Sequence, residues 1–263
     1  MRGTRTPSRP APPTRIPPGS PPTSERGRGR VPRPRSPDDL RARIDDDLPR
    51  RRRARRGGAQ GRPALNLVLD WDGTVTEIDG LHMIIEEFGD RDVYRRTEGV
   101  LGRSLSLHEV IAIEMGTLTL PLRDAVRWVR EHVTVRPGFR ELARTHRPVI
   151  LSSGFRELID PVLEREGVSL DVHANRLDVR SDGWRAIWRD EAQCEECGEA
   201  CKRGGLPNGA PVVYVGDGYS DRCAALAADR VFARDGLARY LDERGVAYEP
   251  FEDFVQLSAA LEP

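Results

Sequence analysis

The chain has 263 residues, with 42 basic and 42 acidic side chains and a formal net charge of zero. That balance hides a split: residues 1–62 hold 18 Arg against 6 acids, whereas residues 63–263 hold 24 basic groups against 36 acids. No apolar run approaches membrane-spanning length, and the 201 residues after the basic segment suffice for one sizeable core plus an insertion.

Residues 1–62 carry 12 of the 21 prolines and few aliphatic clusters. Such a segment cannot bury enough apolar surface to offset its ordering entropy, so it reads as a disordered Pro/Arg tail. The run Arg50, Arg51, Arg52, Arg53, Ala54, Arg55, Arg56 could touch nucleic acid or an anionic membrane. The favoured reading is a solvated linker, or a translation start assigned too far upstream. No apolar stretch follows the twin arginines, so no export signal is expected, and a cytoplasmic location is.

Leu65 to Leu69 is a short apolar run that ends at Asp70 and reads as a buried parallel strand. Between Glu77 and about Arg136 the pattern changes to helical spacing: Leu81, Ile84, Ile85 and Phe88, then Leu107, Val110, Ile111 and Met115, then Ala125, Trp128 and Val129. This is a helical insertion after the first strand, placed to act as a lid. Pro148 to Leu151 is a second strand and runs into Ser152-Ser153-Gly154, with a helix over Phe155–Glu166. Residues 170–189 alternate around Ser181-Asp182-Gly183, as a β-hairpin does. Pro211 to Val215 is a third strand ending at Gly216-Asp217-Gly218, with a helix over Tyr219–Ala228. Two short strands flanking the helix Leu237–Arg244 complete the chain. Strand, loop and helix repeated in this way specify a parallel α/β sheet, and ligands of such sheets bind beyond the carboxyl ends of the strands.

Three polar clusters therefore converge on one crevice. Asp70 and Asp72 lie two apart at the first strand tip, and Asp217 and Asp221 come from the third. Four carboxylates around one point repel unless a cation neutralises them, and oxygen-only ligands suit Mg²⁺. A carboxylate beside that ion can attack phosphorus, and its neighbour can shuttle the proton. Ser152 and Lys202 supply donors to a transferring phosphoryl group. Lys202 is the one lysine among the 42 basic residues. A lone exception reads either as a site where a compact ammonium serves and a guanidinium does not, or as the chance survival of one lysine on a solvated face.

Asp70-x-Asp72-Gly73-Thr74, Ser152, Lys202 and Gly216-Asp217-Gly218-x-x-Asp221 together resemble the four motifs of the haloacid dehalogenase-like (HAD) phosphohydrolase superfamily. The resemblance spans residues 64–255. It implies a Rossmann-like parallel sheet with a helical cap inserted after the first strand and a small β-hairpin. The implied boundaries are a core at 63–76 and 137–263 and a cap at 77–136. Asp70 would form an aspartyl-phosphate. Asp72 would protonate the leaving alcohol, activate water and lend its carbonyl to the metal. Gly73, Thr74, Ser152, Ser153 and Lys202 would bind phosphate. Asp70, Asp72 and Asp217 would hold Mg²⁺, and Asp221 would support the metal or Lys202. The implied partner is a small phosphorylated metabolite, with no membrane and no nucleic acid; no oligomeric state is implied.

Helical lids at this place are similar to those of the phosphoserine phosphatase group. Cys194 to Lys202, Ala228 to Asp235 and Tyr248 to Phe254 resemble the methionine-salvage phosphatases of that group more closely. Phosphoserine phosphatases usually carry Glu where this chain has Asp79, and relatives usually carry Gly where it has Ser153. Cap contacts to substrate are expected from Asp79, His82, Glu86 and Arg103. The alternative is a binding or regulatory module whose basic tail carries function, against which the intact four-motif set argues. Cys194, Cys197 and Cys201 form a C-x₂-C-x₃-C cluster. It reads either as a reduced, tightly turned loop that positions Lys202, the favoured reading, or as a Zn²⁺ site with its fourth ligand elsewhere. Cys223 is expected in the core.

Overall fold

The computed structural model describes residues 65–262, and the expectation of a disordered tail over 1–62 lies outside them. The described chain runs β1 (Asn66–Leu69), α1 (Gly80–Phe88), α2 (Arg91–Glu98), α3 (Leu107–Met115), α4 (Leu122–His132), α5 (Phe139–His146), β2 (Val149–Phe155), α6 (Arg156–Glu166), β3 (Asp171–Asp178), β4 (Arg185–Ile187), β5 (Val212–Gly216), α7 (Arg222–Ala227), β6 (Arg230–Ala233), α8 (Asp235–Asp242), β7 (Glu249–Pro250) and α9 (Phe254–Leu261).

The strands form one sheet in the order β4-β3-β2-β1-β5-β6-β7. All pairings are parallel except β3 with β4, the expected hairpin, which extends the sheet at its edge. β1 is central: Val68 pairs with Val149 of β2 on one side and with Tyr214 of β5 on the other. The chain crosses over in opposite directions from β1, so the tips of β1, β2 and β5 form the crevice at the topological switch point.

Two-residue alternation along the strands separates two apolar layers. Leu67, Leu69, Val213 and Val215 pack with Phe139 of α5, Ile159 of α6 and Phe254 of α9. Val68, Val212 and Tyr214 pack on the other face with Ala224 of α7 and with Leu237 and Leu241 of α8.

The insertion comprises α1 to α4. Each of its first three helices opens on a side-chain cap: Asp79 for α1, Asp90 for α2, and Ser106 with Glu109 as a reciprocal pair for α3. An antiparallel bridge between Thr76 and Val135 ties the two crossings of the chain at its neck. Arg136 donates to the carbonyls of Gly73, Thr74 and Glu77 at 3.0–3.2 Å, which fixes the neck to the loop after β1. α4 packs along α6 of the core, with Arg130 on Glu164 at 3.3 Å. The insertion is thus anchored at α4, and α1 to α3 stand over the crevice. Among the described residues no helix is long and apolar enough to cross a membrane.

Candidate active site

The tips of β1, β2 and β5 bring Asp70, Ser152 and Asp217 together, and the turn Lys202–Gly205 delivers Lys202 among them. Lys202 is only 1% exposed. Its ammonium lies 2.5 Å from Asp70 Oδ1 and 2.7 Å from Asp221 Oδ1. Burial alone would depress its pKa, but Asp221 and Asp70 outweigh burial and raise it, so the ammonium stays charged.

Asp221 is the anchor of this group. Its Oδ1 accepts Lys202 Nζ and, at 2.6 Å, the Tyr214 hydroxyl. Its Oδ2 accepts the backbone N–H groups of Asp217 and Gly218 at 2.9 and 2.8 Å. Burial pushes against ionisation, but Lys202 and these donors prevail and hold the carboxyl below the usual range. With two donors on each oxygen, Asp221 is built to fix Lys202 and the Asp217 loop; of the two roles expected for it, this geometry favours support of Lys202. Tyr214 was not expected here. The signal was a hydroxyl in an otherwise aliphatic buried strand, which must find a partner.

Asp70 receives the Trp71 N–H on Oδ1 at 2.6 Å, the same oxygen that faces Lys202. Among the described residues Oδ2 takes no hydrogen bond, and Asp70 lines the cavity above the strand tips. Burial, then Asp221, raise the Asp70 pKa well above normal, against the pull of Lys202. Asp217 is pushed up to about 7 by burial and by Asp221. Asp70, Asp217 and Asp221 each present an oxygen within 4.8 Å of the others.

Asp72 accepts the Gly80 N–H at 3.0 Å on Oδ1, and burial, then Asp79, push its pKa up to about 8. It is a carboxyl that holds its proton near neutrality, beside one that faces a lysine. Two glycines make this packing possible. Gly73 has φ of +76°, and a Cβ there would lie 2.5 Å from Asp217 Oδ2. A Cβ on Gly154 would lie 2.6 Å from Asp72 Oδ2.

The phosphate ligands expected from the sequence divide. Ser152 and Ser153 line the cavity; Ser152 Oγ accepts the Gly154 N–H at 2.8 Å, and Asn175 holds the Ser153 carbonyl at 2.7 Å. Thr74 is fully buried, and its hydroxyl donates to Asp217 Oδ1 at 2.7 Å, so it orients that carboxylate and does not reach the cavity. The Gly73 N–H goes to Thr76 Oγ1.

The cavity is about 190 Å³, is partly open, and is lined above by the insertion. Of the expected cap residues, Asp79 and His82 line it, whereas Glu86 and Arg103 are exposed and outside it. Asp79 is also the N-cap of α1, accepting from Leu81 and His82 at 2.8 and 2.9 Å. Glu86 lies one turn farther along α1 than His82, past the cavity, where it is exposed. Glu98 and Glu114 line the cavity unforeseen, as does an apolar wall of Leu81, Leu101, Leu107, Val110 and Ile111. Glu114 is 1% exposed, accepts the Thr97 hydroxyl, and is pushed up to about 7, mainly by burial.

An available carboxylate oxygen, a protonated acid beside it and a fixed ammonium are the equipment for transfer of a group through an enzyme carboxylate. Comparison with known proteins supports a phosphatase. The sequence profile of the haloacid dehalogenase-like hydrolases matches residues 67–226. The chain is 28% identical to the 2-hydroxy-3-keto-5-methylthiopentenyl-1-phosphate phosphatase of Exiguobacterium sibiricum, over 73% of this chain and 94% of that protein. It is 25% identical to the phosphatase of the same name from Bacillus mycoides, over 75% and 96%. A substrate-bound phosphoserine phosphatase shares the fold, with a TM-score of 0.59 at 18% identity, over 76% of this chain and 99% of that one. The matched segment begins in β1, ends in α7 and contains every strand tip that builds the site; the chain belongs to the haloacid dehalogenase-like hydrolase family.

Proposed function

We propose that the protein is a Mg²⁺-dependent phosphomonoester phosphatase that passes the phosphoryl group of a small metabolite through Asp70, with a methionine-salvage type of substrate. The observation that carries the reading is the charge at the strand tips. Asp70, Asp217 and Asp221 crowd around a single ammonium, Lys202; burial and mutual repulsion push the Asp70 and Asp217 pKa values up, and with all three ionised two negative charges would stand in excess. A divalent cation matches that excess, and carboxylate oxygens are the donors that Mg²⁺ takes. Because Asp221 is saturated with hydrogen bonds, Asp70, Asp217 and the main-chain carbonyl of Asp72 are the groups that would hold the ion. Bound there, Mg²⁺ would neutralise charge on the phosphoryl oxygens.

The residues then divide the work. Asp70 Oδ2 attacks phosphorus and forms an acyl phosphate as the bond to the leaving oxygen breaks. Asp72, protonated up to about pH 8, gives its proton to that oxygen, which departs as the alcohol. The resulting Asp72 carboxylate takes a proton from water, the hydroxyl adds to phosphorus, and the bond to Asp70 breaks to release phosphate. Lys202 offsets the charge that develops between these steps. Ser152 and Ser153 hold the phosphoryl oxygens, and residues 77–136 act as the cap that excludes bulk water.

The cavity walls support the substrate class. Among the described lining residues none is Arg or Lys, and the polar ones include Asp79, Glu98 and Glu114. The ammonium of phosphoserine could meet those acids, but its carboxylate would find only His82 as a cation among these lining residues, whereas an uncharged, partly apolar chain meets Leu101, Leu107, Val110 and Ile111. The relatives from Exiguobacterium and Bacillus are named for such a substrate. Phosphate release from 2-hydroxy-3-keto-5-methylthiopentenyl-1-phosphate, phosphoserine and a generic aryl phosphate, with Mg²⁺ and with EDTA, tests both levels. We expect Mg²⁺-dependent release, with kcat/KM for the methylthio substrate at least about tenfold above phosphoserine, a difference of roughly 1.4 kcal/mol in the barrier. The reverse ranking overturns the substrate; no Mg²⁺-dependent release from any ester overturns the phosphatase.

A further inference from the structure

The fourth cysteine does not sit apart from the other three. One Sγ from each of Cys194, Cys197, Cys201 and Cys223 lies within 4.8 Å of the others, and none of the four is in a disulfide. A tetrahedral thiolate site with metal–sulfur distances of about 2.3 Å places its sulfurs roughly 3.8 Å apart, so the cluster is one small contraction from that geometry.

The local backbone is shaped for it. Gly198, at φ of +74°, turns the chain directly after Cys197. The Gly198 N–H returns to the Cys194 carbonyl at 2.8 Å, and the Cys194 N–H is held by the Glu199 carbonyl at 2.9 Å. This tight knuckle sets two sulfurs side by side. Cys197 Sγ lies 3.6 Å from the Glu199 carbonyl, inside the same turn. Arg222 lines the same cavity as Cys197, Cys201 and Cys223, stacks on Tyr219 and Tyr240, and leaves its buried Nε without a hydrogen-bond partner. A guanidinium beside the cluster offsets half of the net double negative charge of a divalent ion with four thiolates.

We propose that Cys194, Cys197, Cys201 and Cys223 bind one structural Zn²⁺. Four sulfurs and no open position make the site closed, and tetrahedral sulfur coordination selects zinc over the oxygen-loving ion at the strand tips. The ion would cross-link two segments that also meet through the buried Lys202–Asp221 ion pair. Cys201 immediately precedes Lys202, and Cys223 lies two residues after Asp221, so the zinc fastens both ends of the Lys202–Asp221 pair. The same loop reaches the cap: Glu199 accepts the Leu107 N–H at 3.3 Å, and Trp188 stacks on His108 with centroids 3.9 Å apart. Sequence reading had three ligands and no fourth. The fourth was hidden because Cys223 is a buried helix residue beyond the third strand, brought to the loop only by the fold.

The test is metal analysis of the full chain purified without chelator, with titration of its thiols by an organomercurial in the presence of a zinc dye. We expect one Zn per chain, released as four thiols are modified. Cys197 is exposed, so Cys197→Ser should fold; it should retain less than about one-tenth of the zinc in competition with the dye. Asp70→Asn should keep full zinc, which separates this site from the proposed Mg²⁺ site and leaves the inference standing even if the phosphatase reading falls. Zinc below about one-tenth per chain, iron in its place, or undiminished zinc in both Cys197→Ser and Cys223→Ser overturns the proposal.

Discussion

Replacing Lys202 separates charge from shape in the buried triad. Lys202→Met removes the ammonium at nearly constant volume and leaves Asp70 and Asp221 facing each other in a slot that is 1% exposed. Breaking a buried pair in this way costs about 3–5 kcal/mol. The loss has a ceiling, because one carboxyl can take up a proton; for a group of ordinary pKa at pH 7 that costs about 4 kcal/mol. At about 2–4 °C per kcal/mol for a domain of this size, the Tm should fall by roughly 6–16 °C. Lys202→Arg keeps the charge, so this penalty does not apply. Its larger, planar head must instead fit where an ammonium touches oxygens at 2.5 and 2.7 Å; overpacking of that kind costs about 1–3 kcal/mol. The two variants should therefore differ in Tm, with Arg the more stable, yet both should lose at least about 100-fold in kcat. Thermal unfolding by circular dichroism and phosphate release from a generic ester read the two effects separately. Lys202→Arg with kcat within threefold of wild type would refute the reasoning, since any cation would then serve.

Other substitutions probe the parts that hold the triad. Gly154→Ala drives a methyl group to 2.6 Å from Asp72 Oδ2 and 3.2 Å from Ser152 Oγ; displacing the proton donor by about 1 Å should cost about 100-fold in kcat with little change in Tm, and an unchanged pH–rate profile at full activity would contradict it. Thr74→Val deletes the hydroxyl that orients Asp217; the Mg²⁺ concentration for half-maximal activity should rise about 10- to 100-fold, while kcat at saturating Mg²⁺ changes little. Glu114→Gln tests the buried acid of the cap. Its folded pKa of about 7 lies above the model-peptide value of 4.5, so the folded state holds the proton longer than the unfolded state. Glu114 must then contribute a loss of stability of about 3 kcal/mol as pH rises from about 4.5 to 7, and no further loss above that. The neutral variant should lack this loss, and urea titrations showing a pH-independent difference between the two would dismiss the assignment.

The parts of the site that lie next to a strand tip in sequence were legible. Asp70, Asp72, Ser152 and Asp217 each follow an apolar run, and parallel topology alone sends such tips to one crevice. Lys202 stood out for a different reason: it is the single lysine of an arginine-dominated chain, and the structure buries it between Asp70 and Asp221. What could not be read were directions of side chains set by packing. Thr74 lies in the loop after Asp70 and looks like a phosphate donor, but the positive φ of Gly73 swings the chain so that its hydroxyl meets Asp217. Tyr214 looks like one more apolar strand residue until β5 is laid beside β1. Glu98 and Glu114 are ordinary helix acids by pattern and become cavity walls only because α2 and α3 pack together over the crevice.

The most direct test of the central claim is capture of the covalent intermediate. Enzyme quenched in acid within milliseconds of mixing with substrate and Mg²⁺, then digested, should show one phosphoryl group on the peptide that contains Asp70. Asp70→Asn should show none and should release no phosphate above background. A phosphorylated peptide from elsewhere in the chain, or undiminished turnover by Asp70→Asn, would contradict the assignment of Asp70 as the nucleophile.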